Sequence, residues 1–215
     1  MEYLNLSIDG ATQETYERYR VSGNLAKVFH NIERLNYYKK LYESEYPKLS
    51  WQFIIFGHNE HEIPLVKSLC KKYNMAFNPK LNYSNFSPVR DKNFVRKESG
   101  LGVADRQEYK SLYEKEYKAP CYHCFVSPQI NWDGKILGCS VNKWLAMGNV
   151  KNMNIQDWSK SPIFNELISV LFQGKSCSNV LPCYYCPNYQ EKRGLPLTIK
   201  GLNEYVSYVA PALKR

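Results

Sequence analysis

The chain has 215 residues, of which 44% are hydrophobic, so it can bury the core of one sizeable domain or of two small ones. Its start lacks the basic and apolar regions of a signal peptide, and no run of about eighteen apolar residues occurs, which argues against secretion and membrane insertion. We therefore expect a cytoplasmic protein. The formal charge of +9 is spread along the chain, so we interpret it, including the cluster Arg90, Lys92, Arg96 and Lys97, as a solvated surface.

The first third of the chain alternates predicted strands and helices. Residues 3 to 8 and 50 to 57 are short, apolar and aromatic, as buried strands are, and residues 75 to 81 form a candidate third strand. Each of the first two strands is followed by apolar residues at three- and four-residue steps, which indicates a helix with one buried face. This order predicts an α/β fold with a parallel sheet of about three strands and helical crossovers.

A complete eight-stranded barrel takes about 250 residues, so three strands correspond to part of one. Because the first strand begins almost at Met1, the chain enters the sheet without a preceding element, as a fragment or an oddly started open reading frame would. We divide the chain into a βαβαβ part (1–82), a linker or active-site loop with a short helix from Asp105 to Tyr117 (83–118), a cysteine-rich domain (119–193) and a C-terminal tail (194–215). In the third part, Ser161-Pro162 predicts the start of a helix and Gly174 its end.

Six of the seven cysteines fall in two groups, one with Cys121, Cys124 and Cys139 and one with Cys177, Cys183 and Cys186. Asp133-Gly134 predicts a two-residue hairpin turn, which returns Cys139 toward Cys121 and Cys124. A Cys-x2-Cys pair presents two thiolates from one tight turn, as metal sites require. In a reducing compartment this clustering favours metal ligation over disulfides. The spacing also suits a structural zinc, so the metal stays open at this point.

Single cysteines have alternative interpretations. Cys70 lies in a helical pattern beside Leu69 and is interpreted as a small buried hydrophobic residue. Cys177 lies in a polar segment and is equally a free thiol or an additional ligand. The motif His58-x2-His61, with Glu60 and Glu62, has no further ligand in view and is interpreted as a polar loop.

The chain resembles the radical S-adenosylmethionine (SAM) enzymes that carry a SPASM or twitch domain. The segments that carry the resemblance are LNLSIDGATQETYERYR with GNLAKVFHNIERL, then SWQFIIFGHNEHEI, and finally PCYHCFVSPQINWDGKILGC followed by MGNV, Trp158 and PCYYC. The resemblance implies a remnant of the partial radical SAM (βα) barrel followed by a SPASM-like domain with a hairpin and a helix. It also implies one auxiliary 4Fe-4S cluster bound by Cys121, Cys139, Cys183 and Cys186, with Cys124 as an alternative first ligand.

The same resemblance implies that Ser7, Asp9 and Asn59 face SAM, although Ser7 and Asp9 are equally candidates for capping the next helix. The Cys-x3-Cys-x2-Cys motif that cleaves SAM in this family is absent from the sequence. SAM is therefore expected as a cofactor only with the missing half, which is either lost or carried by a separate chain. In the full enzyme the resemblance implies a 5′-deoxyadenosyl radical that acts on a peptide, a protein, a sugar or a lipid precursor.

Two other functions fit parts of the sequence. A non-catalytic zinc or cluster module with a structural or docking role explains the cysteines but not the strand and helix order. A nucleic-acid-binding role for residues 90 to 97 needs aromatic side chains for base stacking, and only Phe94 offers one there. Tyr184 and Tyr185, between the last two cysteines, are candidates for shielding a cluster from solvent.

Overall fold

A computed structural model describes residues 2–114, 117, 120–142, 145–191 and 196–209, and the chain falls into two units, Met1–Tyr117 and Lys118–Arg215. The strands are β1 (Tyr3–Ser7), β2 (Lys48–Ile55), β3 (Met75–Leu81), β4 (Gln129–Ile130) and β5 (Ile136–Gly138). The helices of the first unit are α1 (Gln13–Tyr19), α2 (Leu25–Leu41), α3 (Ile63–Lys72), α4 (Lys92–Ser99) and α5 (Arg106–Tyr113). Those of the second are α6 (His123–Val126), α7 (Ile155–Trp158), α8 (Pro162–Gln173), α9 (Pro187–Glu191) and α10 (Ile199–Val209).

The first unit is built on a parallel sheet in the order β1-β2-β3, which confirms the predicted α/β class and strand order. The sheet is open and three-stranded, and it forms no barrel. Leu6, Trp51 and Phe77 are register partners on one face, and they pack into the main apolar cluster. Alternation along β2 buries Leu49, Trp51, Phe53 and Ile55 at 3% exposure or less, because every second side chain of a strand points to the same face.

The opposite face of this sheet is polar. Asn5 Nδ2 donates to Gln52 Oε1 (3.2 Å), and Gln52 Nε2 donates to Ser7 Oγ (3.0 Å). Asn78 Nδ2 extends the row by donating to Asn5 Oδ1 (3.4 Å). Parallel sheets usually bury both faces, so a row of hydrogen-bonded amides with exposed members is an unusual feature of this one.

Two segments differ from their predictions. Residues 83–104, interpreted as a linker or loop, contain α4, whose N-cap Asp91 accepts from Phe94 N and which ends at Gly100 in the left-handed region. The predicted tail contains α10. Helix α4 was missed because it is short and its only apolar residues are Phe94 and Val95. Helix α10 was missed although its apolar residues Ile199, Leu202, Val206 and Val209 recur at helical spacing. The predicted limits at 118/119 and 193/194 lie outside the described residues.

The second unit packs a hairpin of β4 and β5 against helix α8. Trp158 and Leu167 are buried at its centre, and Trp158 Nε1 donates to Met147 O (2.9 Å). The segment around Met147 runs beside β5, since Ile136 exchanges backbone hydrogen bonds with Met147 and Gly148. Helix α8 has the predicted caps: Ser161 accepts from Phe164 N, and Gly174 ends the helix at φ +67°.

The hairpin turn is one residue longer than predicted. Gly134 N donates to Asn131 O (2.9 Å) and Asn131 N donates to Lys135 O (2.8 Å), so Trp132 and Asp133 are the central residues of the turn. Gly134 follows them at φ +86°, as in a three-residue hairpin with a bulge. The predicted Asp133-Gly134 pair is therefore shifted by one position, but the chain still reverses and Cys139 still follows β5 directly. In the part of the chain that the structure describes, no helix is long and apolar enough to cross a membrane.

Candidate metal centre

The first cysteine pair lies on consecutive short helical turns. Cys121 belongs to the 3-10 turn Pro120–Tyr122, and Cys124 lies in α6, where its side chain is 2% exposed. A two-residue separation within helical backbone brings the two side chains to the same side of the turn. Both thiols pack against the apolar cluster around Trp158 and Leu167.

Cys139 enters the same cluster from the end of the hairpin. Gly138 precedes it at φ +76°, and a Cβ at this position would lie 3.2 Å from Cys124 Sγ and would overlap with Met147 Cε. Only glycine therefore allows β5 to pass this close to Cys124. The sequence contained this signal in the Gly-Cys pair at residues 138–139, but the requirement becomes visible only when Cys124 and Met147 are known to be neighbours.

The last three cysteines come from the segment after α8. Cys183 lies in the 3-10 turn Pro182–Tyr185 and is 7% exposed, and Cys186 caps that turn through a hydrogen bond from its N–H to Cys183 O. Cys177 lies in the preceding loop and is half-buried. The structure therefore brings all six clustered cysteines into one unit. Cys70 is buried in the other unit, as predicted for a small hydrophobic residue.

The pKa values of three thiols, Cys124, Cys139 and Cys183, are shifted by burial and by neighbouring cysteines. A hydrogen bond between Cys124 and Cys139 raises the pKa of Cys124, and burial and the neighbouring cysteines add to this. The same hydrogen bond, aided by the backbone amides of Val141 and Asn142, lowers the pKa of Cys139 to about 6 despite its burial. Burial raises the pKa of Cys183, and the charges of Cys121, Cys177, Cys139 and Cys186 raise it further. Cys139 is thus the readiest of these thiols to supply a thiolate.

The clustered thiols lie near one another, but they are not arranged as the ligands of a single metal ion. Within the described ranges, no group of three or more His, Cys, Asp or Glu side chains is placed so that it could hold a metal ion. Cys124 and Cys183 are held among apolar side chains, and the charges that act most strongly on them are those of other cysteines. The donor set is therefore soft and sulfur-only, which is the chemistry that selects zinc or iron-sulfur clusters.

The predicted SAM-facing residues lie at strand ends, with different exposure. Ser7 is exposed and accepts from Gln52 Nε2. Asp9 is fully buried, accepts from Ile54 N (2.8 Å) and forms an ion pair with Arg20 (2.6 Å). Burial raises the pKa of Asp9, although the Ile54 amide and the Arg20 guanidinium oppose the shift. Helix α1 is capped by Thr12, so the alternative in which Ser7 or Asp9 caps it is wrong.

Asn59 connects the ends of β1 and β2. Its Oδ1 accepts from Phe56 N (2.8 Å), and its Nδ2 donates to Asp9 O (2.9 Å) and Ile54 O (3.0 Å). The side chain is fully buried. These bonds satisfy the donors and the acceptor of the amide, so Asn59 has a structural role in this chain.

The segment from His58 to Glu62, interpreted as a polar loop, is instead largely buried. Glu62 accepts from Ala11 N (2.8 Å), Thr12 Oγ1 (2.8 Å) and Thr15 Oγ1 (2.6 Å), and it thereby fixes the start of α1. Glu60 accepts from the backbone amides of Arg90 and Asp91. His58 stacks on Phe56, and burial lowers its pKa. Sequence analysis missed these carboxylates because their partners lie 30 to 51 residues away.

Two of the four basic residues in the cluster at residues 90–97 form ion pairs. Lys92 forms an ion pair with Asp105 (2.7 Å), and Arg96 with Glu108 (2.5 Å). These pairs support the interpretation as a solvated surface. Tyr184 and Tyr185 are 44% and 64% exposed, so both rings reach well into solvent.

The chain was compared with protein-family models, with curated proteins and with solved structures, and none of the three comparisons found a match.

Proposed function

We propose that this chain is the C-terminal portion of a radical SAM enzyme of the SPASM or twitch type, and that its second unit holds one auxiliary 4Fe-4S cluster. Cys121, Cys139, Cys183 and Cys186 would ligate it, with Cys124 as an alternative to Cys121. Bound there, such a cluster would supply electron transfer or substrate positioning. The proposal assigns SAM cleavage to the missing half and not to this chain.

One observation carries the proposal: five thiols from three separate segments meet in a single apolar cluster, and the sixth, Cys186, lies close enough to act on Cys183. Burying protonated thiols costs little, but the thiolates that bind a metal are costly to bury unless something stabilises their charge. Iron and sulfide do this by bonding the thiolates directly. The proposal is supported by the type of donor atom, which is thiol sulfur. It is not supported by the positions of the thiols, since no described group of three or more is placed to hold a metal ion.

The fold of the first unit is compatible with the proposed family. Its parallel strands, joined by helices, fit a fragment of a partial barrel, and the polar row of Asn5, Gln52 and Asn78 would face the interior of such a barrel. Of the residues that the resemblance assigns to SAM, Ser7 has exposed surface, whereas Asp9 and Asn59 shape the strand ends from buried positions. The substrate classes remain peptide, protein, sugar or lipid precursor.

The test is anaerobic reconstitution with iron and sulfide, followed by quantification of iron, sulfide and zinc per chain. We expect about four irons, four sulfides and a brown chromophore. Cys139→Ala and Cys186→Ala should each abolish retention of the metal, whereas the matched control Cys70→Ala should retain it.

A colourless protein with one zinc per chain would replace this proposal with a structural zinc module. The two Cys-x2-Cys pairs keep that module as the alternative function, because a zinc site also takes its ligands in such pairs. If Cys70→Ala lost the metal and Cys186→Ala kept it, the ligand assignment would be wrong.

A further inference from the structure

Helix α10 engages the turn that carries the first two candidate ligands. Only Tyr122 and His123 lie between Cys121 and Cys124, and the side chains of both contact α10 or the residue that precedes it. The segment leading into α10 is itself attached to α8 through a hydrogen bond from Leu197 N to Leu171 O (2.7 Å).

Tyr122 is held by close packing. Its ring stacks on Tyr205 with centroids 5.6 Å apart, and its hydroxyl accepts from Thr198 N (3.3 Å). Gly201 faces this hydroxyl so closely that a Cβ on residue 201 would overlap with it. Gly201 lies in the first turn of α10, where glycine favours the helix less than alanine does, so this position gives up some helix stability to admit Tyr122.

His123 is held by hydrogen bonds on both ring nitrogens. Tyr205 Oη lies 2.6 Å from Nε2, and Ser127 Oγ lies 3.0 Å from Nδ1. A neutral imidazole has one donor and one acceptor, so both contacts are satisfied when Tyr205 donates to Nε2 and Nδ1–H donates to Ser127. Tyr205 itself is 8% exposed, which shields this hydrogen bond from competing water.

We propose that α10 is a positioning element of the metal centre, and that Tyr205, acting through His123, fixes the orientation of the Cys121 and Cys124 thiols. This inference rests on the proposed function. Only two residues separate the cysteines. A rotation of the backbone between them therefore changes the direction of one Sγ atom relative to the other. Groups that orient ligands in this way typically change metal affinity by about 10- to 100-fold.

The test measures the rate at which the reconstituted full chain loses iron to excess chelator under anaerobic conditions. Tyr205→Phe keeps the ring stack and removes only the hydroxyl, and we expect release about tenfold faster than in the wild type. Gly201→Ala should accelerate release as well, although alanine favours helix formation. Tyr184→Phe is the matched control, since Tyr184 adjoins Cys183 but points into solvent, and its release rate should equal that of the wild type.

A double-mutant cycle separates positioning from general loosening. If Tyr205 acts through His123, the double variant Tyr205→Phe/His123→Ala releases iron no faster than the single variant His123→Ala. The double variant and His123→Ala should also shift the midpoint potential of the cluster by the same amount. Additive effects, or a Tyr205→Phe variant that behaves as the wild type, would overturn the inference. A wild type that retains no metal overturns the proposed function and this inference together. A wild type that holds zinc overturns only the former, because zinc release then reports on the same turn.

Discussion

At the scale of single residues, the buried carboxylates of the first unit meet partners that lie far away in sequence. Glu62 bonds three groups near the start of α1, and Asp9 bonds Ile54 and Arg20. A sequence pattern identifies residue types and local spacing, but it does not reveal which distant amide or hydroxyl a carboxylate meets. That is why the strand-end residues were predicted as positions while their partners were missed.

Removal of the Glu62 carboxylate should destabilise the first unit strongly. Glu62→Ala removes the carboxylate that accepts hydrogen bonds from the Ala11 amide and from two threonine hydroxyls. Glu62 is only 3% exposed, so water does not readily replace this acceptor. We expect the free energy of unfolding to fall by about 3 kcal/mol in denaturant titrations. The control Glu33→Ala, on the exposed side of α2, should change it by less than about 0.5 kcal/mol. Equal effects of the two substitutions would contradict the network.

Cys70 gives the first unit a defined alkaline sensitivity. Burial raises the pKa of its thiol to about 12 in the folded chain. The unfolded chain loses this proton above about pH 8.5 while the folded chain keeps it, so stability is present below that pH and declines by about 1.4 kcal/mol per unit toward pH 12. Between pH 8 and pH 10 the wild type should lose about 2 kcal/mol more stability than Cys70→Ala.

The comparison uses unfolding free energies of both proteins at pH 6, 8 and 10. Between pH 6 and pH 8 the difference between them should stay constant, because the thiol is protonated in both states. Parallel profiles up to pH 10 would show that the Cys70 side chain is accessible to water when the protein is folded.

At the scale of elements, local signals predicted best. Helix α8 has the predicted limits because its N-cap, its first-position proline and its terminal glycine act within one turn of the chain. The hairpin was predicted but its turn was shifted by one residue, since Asp-Gly suits both a two-residue turn and the end of a three-residue loop. The apolar spacing of α10 indicates a helix, but its contact with His123, 82 residues away in sequence, could not be predicted.

Gly138 is the element-scale position that can be tested without metal. Gly138→Ala places a methyl group against Cys124 Sγ and Met147 Cε at φ +76°. We expect the second unit of the metal-free chain to lose about 2 to 4 kcal/mol, since strain and overpacking add. Gly174→Ala is the matched control: its φ is +67° but no atom lies within 4 Å, so only the strain of about 1 kcal/mol remains. Hydrogen exchange of the β5 amides measures both, and equal losses would refute the close approach.

At the scale of the whole molecule, the two units should respond differently to metal. The six clustered cysteines belong to the second unit, and the parallel sheet belongs to the first. On loading with iron and sulfide, we expect amide exchange to slow at least about tenfold around Cys121, Cys139 and Cys183, because ligand binding stabilises the folded form of the unit that binds. The exchange rates of the β2 amides should not change on loading. Slower exchange in β2 alone would place the metal in the wrong unit.

The separation of the proposed ligands along the sequence would affect the amount of this protein in the cell. Ligands drawn from Cys121 to Cys186 would tie together a loop of more than sixty residues, as a covalent cross-link does. Under the proposed function, the second unit would reach its full stability only when iron and sulfur are delivered to it. Iron starvation would then lower the amount of this protein through proteolysis of unfilled chains, even while its transcript level stayed the same.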